Sequence, residues 1–158
     1  MSDSQNLGIY LHLARASQRR NRLHVRDRLL VLSAAIAANQ QLHKLSAYCR
    51  AEILEHNPQH MVRKWETVEE ALLDEEFLTL LKRIRSEYSS ERAEQLLQAL
   101  GIEMANERAA YYSDQEWAAS ILDLDSAAFN NEDDSHGKDD CKKDEDNRDG
   151  ELGTDSTD

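Results

Sequence analysis

Proline occurs once and glycine five times in 158 residues, so the chain carries few of the residues that punctuate strands and tight turns. Abundant Ala, Leu, Glu, Gln and Arg favour helix instead, because straight side chains lose little rotamer freedom there. The expected fold is all-α, with room for one modest core in a chain of this length. Cysteine is scarce too. Cys49 and Cys141 have no partner at metal-ligand or redox-motif spacing, which suits a reducing cytoplasm better than a disulfide framework. No apolar run approaches the roughly 18 residues of a membrane span, and the polar start MSDSQN lacks a basic region followed by an apolar one. These absences predict a soluble cytoplasmic protein with no membrane partner.

The usual marks of catalysis are missing as well. There is no serine in a nucleophile elbow, no glycine-rich phosphate loop, and no HExxH or CxxC motif. His56 and His60 are four apart, but Pro58 lies between them and breaks the helix that would align them on a metal. The paired acids Glu69/Glu70 and Glu75/Glu76 fit exposed first-turn positions favoured by the helix dipole. No enzyme activity, cofactor or metal is expected.

Charge is plentiful and uneven. The net charge of −12 divides into +4 for residues 1–57, −6 for residues 58–122 and −10 for residues 123–158. The last segment has few large apolar groups to offset the entropy of ordering a chain, which predicts a disordered acidic tail over 125–158 behind a helical domain over 6–124. Within that tail, EDNRDGELGTDS resembles a calcium-binding loop of the EF-hand kind at Glu145, Asn147, Asp149, Gly150 and Leu152. Position twelve, where a bidentate acid belongs, is Ser156. Diffuse cation condensation is the expectation for so acidic a segment.

Helical spacing and cap signals divide the domain into six or seven short helices. Leu7, Tyr10, Leu11 and Ala14 mark a first helix over about 6–20, and a second run opens near Asp27 with Leu29, Leu32 and Ile36. The apolar phase shifts at AANQQ, which predicts a turn near Asn39–Gln41 unless one long bent helix runs through. Thr67 with Glu70 and Ser113 with Glu116 form capping boxes; Asp74 and Ser90 are further caps. Phe77, Leu80, Leu81, Ile84 and Tyr88 form one stripe; Ala93, Leu96, Leu97 and Leu100 form another. Gly101 is placed to end its helix in the left-handed conformation, with Ile102 making the accompanying contact.

Two short stretches resemble known families. ALGIEMANERAAYY, residues 99–112, resembles the turn of a DNA-binding helix-turn-helix, with Leu97 and Glu107 where a small and an aliphatic residue usually pack. AYCRAEILEHNPQH, with DRLLVLSAAIAANQQL before it, looks like a single tetratricopeptide unit, which implies a helical hairpin and protein binding. The strongest functional lead is ARASQRRNRLHVRDR, residues 14–28. If the first helix persists, Arg15, Arg19, Arg22 and Arg26 follow one face as a basic ridge, broadened by Arg20 and Arg28. The reading is a non-enzymatic helical interaction module with a protein partner. Its alternative is a nucleic-acid-associated regulator that uses this ridge, masked by its own acidic tail.

Overall fold

The computed structural model describes residues 3–104 and 107–124. The tail over 125–158, with its calcium-loop resemblance and Cys141, lies outside them. Among the described residues there are seven α-helices and no strand, as expected: α1 (Asp3–Arg19), α2 (Leu23–Asn39), α3 (His43–His56), α4 (Val68–Ala71), α5 (Glu75–Glu87), α6 (Ser90–Ala99) and α7 (Asp114–Ile121). Short 3₁₀ turns cover Met61–Lys64 and Glu107–Ala110.

The centre of the molecule is α2. Arg26, Asp27 and every residue from Leu29 to Ala38 are buried, so the helix is enclosed on all sides from Leu29 to Ala38 and shows no amphipathic stripe there, as an enclosed helix should. Its small residues, Ser33, Ala34, Ala35, Ala37 and Ala38, let neighbours approach closely. The buried Ser33 hydroxyl is satisfied by donating to the Leu29 carbonyl at 2.9 Å. Around α2 pack α1, α3, α4 and α5, while α6 and α7 close over α1.

Two turns set this packing. Residues 20–22 and 40–42 link α1 to α2 and α2 to α3, and each turn places one residue in the left-handed region, Asn21 at φ 61° and Gln41 at φ 64°. The hydrogen bonds are those of the Schellman ending, with Arg22 N–H donating to the Ser17 carbonyl at 2.8 Å and Leu42 N–H to the Ala37 carbonyl at 2.8 Å. Gly101 ends α6 in the same way at φ 74°, with Ile102 N–H on the Leu97 carbonyl at 3.0 Å, and Asp123 ends α7 so at φ 60°. Glycine tolerates this conformation freely, whereas glutamine pays about 1–2 kcal/mol for it. Gln41→Gly is therefore expected to stabilise the protein by up to about 1 kcal/mol, after glycine's extra unfolded-state entropy is subtracted. Gly101→Ala should cost about 1 kcal/mol through the backbone alone, because its Cβ would meet nothing within 4 Å. Urea midpoints moving in opposite directions for the two variants check this.

The sequence-marked caps are present at Thr67, Asp74 and Ser113, whose side chains accept the backbone N–H groups of Glu70, Glu76 and Glu116. One cap differs. Ser89, not Ser90, caps α6 by accepting from Arg92 N–H at 3.3 Å, because Ser90 Oγ is committed to Asn6 Oδ1 on α1 at 3.1 Å. The turn expected near Asn39–Gln41 is formed, so residues 27–57 make a hairpin and not one long helix. The helix-turn-helix resemblance does not extend to structure: after Gly101 the described chain holds only the 3₁₀ turn before α7 begins at Asp114.

Candidate functional site

The basic ridge expected along α1 is not formed, because α1 stops at Arg19 and the chain reverses at Asn21. Its four arginines are placed in different settings. Arg15 turns toward the end of α7, donating to the Leu122 carbonyl at 3.1 Å and pairing with Asp123; it satisfies a carbonyl that the helix end leaves free. Arg26 is buried, pairing with Asp27 at 3.1 Å and donating to the Glu52 carbonyl at 3.2 Å. Arg19 and Arg22 are exposed, as are Arg20 and Arg28.

What the fold assembles instead is a groove of about 390 Å³ between the α1–α2 turn and α6. Its floor is apolar. Leu13 and Ala16 come from α1, Val25 and Leu29 from α2, and Leu96 and Leu100 from the outer edge of the α6 stripe. Leu96 and Leu100 are only half buried, because α6 turns Ala93 and Leu97 into the core and leaves the adjoining side of its stripe over the groove. Arg20, Arg22 and Arg92 line the same groove and no acidic side chain does. None of the three has an ion-pair partner among the described residues. In a chain of net charge −12, a lining with three arginines and no acid is a local reversal of sign, and the apolar floor beneath it reduces dielectric screening.

The neighbouring polar groups are hydrogen-bonded. The Tyr10 hydroxyl donates to the Tyr88 carbonyl at 2.7 Å, closing the end of α5 beside the groove. Cys49 is fully buried in α3, and burial pushes its thiol up to about 12, so it is an inert core side chain. His56 Nδ1–H donates to Asp27 Oδ2 at 2.6 Å, and His60 accepts from Val62 N–H through Nδ1 at 3.1 Å. The two histidines thus have separate structural partners, and no cluster of three or more metal-ligating side chains occurs among the described residues. No described helix is long and apolar enough to cross a membrane.

Sequence reasoning found Arg22 and the Leu96/Leu100 stripe but did not join them. The lining comes from four elements separated by up to about 87 positions (Leu13 to Leu100), and only the reversal at Asn21 brings them to one side. The signal that could have found it is the width of the α6 stripe, in which Leu96 and Leu100 lie beside the buried Ala93 and Leu97. Comparison of the chain with protein-family models, with curated proteins and with solved structures gives no match.

Proposed function

We propose that this protein is a non-catalytic interaction module that binds an amphipathic segment of a partner protein, apolar on one face and acidic at its edges, in the groove between the α1–α2 turn and α6. The observation that carries this reading is the combination of Arg20, Arg22 and Arg92 around a floor of leucine, valine and alanine with no acid among them. An apolar floor supplies affinity through buried area, and the arginine rim selects acidic flanks and speeds encounter. A partner helix laid in the groove would place residues at i, i+3, i+4 and i+7 on that floor.

The test uses the full-length protein and a fluorescein-labelled helical peptide with a leucine stripe flanked by glutamates. Binding is expected at a Kd on the order of micromolar at physiological salt. Ala99→Glu, an exposed groove position, and Arg92→Glu should each weaken it about tenfold or more, whereas Arg63→Glu, an exposed arginine outside the groove, should leave it unchanged. Single-stranded RNA provides the competing outcome. Tighter binding of RNA than of peptide, falling steeply with salt, would favour the nucleic-acid reading through the exposed arginines.

A further inference from the structure

A second cavity, of about 410 Å³, opens on the other side of α2 between its first turns, the loop after α3 and α5. It is polar where the peptide groove is apolar. We propose that this cavity is a binding site for a small oxyanion, a phosphate or carboxylate group, held by Arg83, Arg28, Asn57 and His60. The argument rests on which hydrogen-bonding atoms the fold has already used.

Asn57 Oδ1 accepts from Gln59 N–H at 3.2 Å, which leaves the Asn57 amide NH₂ as the group free to serve a ligand. His60 Nδ1 accepts from Val62 N–H at 3.1 Å, so the neutral ring carries its proton on Nε2 and offers a donor there. Burial holds His60 below the ordinary imidazole range, with Asp27 pulling the other way, and so favours the neutral tautomer that this bond requires. Both side chains line the cavity, their acceptor atoms engaged by the loop backbone and their donor groups without a partner among the described residues. They therefore present donors to it.

The charges add to the same result. Asp27 lines the cavity, but it is buried and its two oxygens are taken by Arg26 at 3.1 Å and His56 at 2.6 Å. Glu87 faces Arg28 at 3.9 Å and balances it loosely. Arg83 has no acid partner among the described residues, so its guanidinium is the uncompensated charge of the site. One unpaired cation and two neutral donors suit a single oxyanion, for which guanidinium geometry is matched. Leu80 and Ile84 form the apolar wall and leave space for a short carbon chain behind the charged group. The ligand class is a small metabolite-sized oxyanion, separate from the peptide that the groove would take.

The experiment is a titration of the ¹⁵N-labelled full-length protein with sodium phosphate and, separately, sodium acetate, each against sodium chloride at equal ionic strength. Saturating one-site shifts at residues 57–62 and 80–87 are expected, and whichever anion binds more tightly identifies the preferred oxyanion. Arg83→Gln should weaken the binding about tenfold. Asn57→Asp should weaken it further, because it keeps an acceptor for Gln59 N–H while replacing the amide donor with a negative charge that repels the anion. Lys82→Gln, which removes one positive charge from α5 at a position that does not line the cavity, should change affinity less than about twofold. Shifts that fail to saturate with either anion, or equal losses in Arg83→Gln and Lys82→Gln, would overturn the proposal.

Discussion

Replacing Gly8 by alanine is expected to destabilise the protein by about 3 kcal/mol or more, although alanine is the better helix former by about 1 kcal/mol. Gly8 sits in the middle of α1, where its missing side chain is filled by the Trp117 ring of α7. An added Cβ would lie 2.0 Å from Trp117 Cη2, 2.5 Å from Cζ2 and 2.8 Å from Cζ3. The ring cannot step aside. Trp117 is 1% exposed, and its Nε1–H donates to Glu107 Oε2 at 3.1 Å, an acid that His12 Nε2 also contacts at 3.1 Å. The methyl must therefore push α7 away from α1 and uncover one of the largest buried side chains. Urea unfolding followed by tryptophan fluorescence reads both the loss and any red shift of the native spectrum. In a Trp117→Ala background the obstruction is gone, and the same Gly8→Ala change should become neutral or mildly stabilising. A similar penalty in both backgrounds would contradict the packing described.

The second large effect is expected at Asp27. Asp27 is 4% exposed and Arg26 6%, and the two form the centre of a buried polar group completed by His56 and by Glu52, whose carboxylate lies 3.5 Å from Arg26 Nη1. Removing one partner of a buried pair leaves the other charge without compensation, at a cost of about 3–5 kcal/mol. Asp27→Ala would leave Arg26 with only the longer Glu52 contact at 3.5 Å and His56 without its carboxylate, so a loss toward the lower end of that range is expected, in a domain of ordinary stability that has only about 5–15 kcal/mol to lose. Replacing both residues together, Arg26→Met with Asp27→Leu, should cost far less, because the pair's own desolvation penalty is removed with it. Equilibrium denaturation of the single and double variants makes the comparison. A double variant as unstable as Asp27→Ala would show that the pair is irreplaceable for another reason.

The sequence made the helical class and most downstream helix starts legible because those features are local. Thr67, Asp74 and Ser113 announce their helices through side-chain oxygens that cap the first turn, and Gly101 announces an end. The first hairpin carried no such marks. Its turns place Asn21 and Gln41 in the left-handed conformation, and the N-cap residues of α2 and α3, Arg22 and Leu42, make no side-chain cap hydrogen bond. Tertiary packing of α1, α2 and α3 specifies those reversals, and packing is not written in any short window. The reversal at 39–41 was visible only because the apolar phase shifts there. At 20–22 nothing shifts, since Arg, Gln and Asn are at home in a helix or a turn, and so the arginines read as one ridge when they belong to two antiparallel helices. Gly8 likewise looks like a weak point of α1 until the ring from 109 positions away is seen against it. The Ser89 cap was displaced by one residue for a related reason, a contact between Ser90 and Asn6 that spans 84 positions.

The peptide groove inherits this partial legibility. Leu96 and Leu100 were marked as apolar and Arg22 as basic, but their conjunction depends on the chain reversal and on the face of α6 that Ala93 and Leu97 do not occupy. Its chemistry is simple enough to be inverted. With Arg20, Arg22 and Arg92 all changed to glutamate, the protein should lose affinity for the leucine-striped peptide with acidic flanks and gain affinity for the same peptide with its glutamates replaced by lysines. Anisotropy titrations of both proteins with both peptides, at one salt concentration, form a closed cycle. Tight binding in the two charge-matched pairs and weak binding in the two like-charged pairs is the result expected for a partner segment seated in the groove. Affinities that do not depend on the match would contradict it.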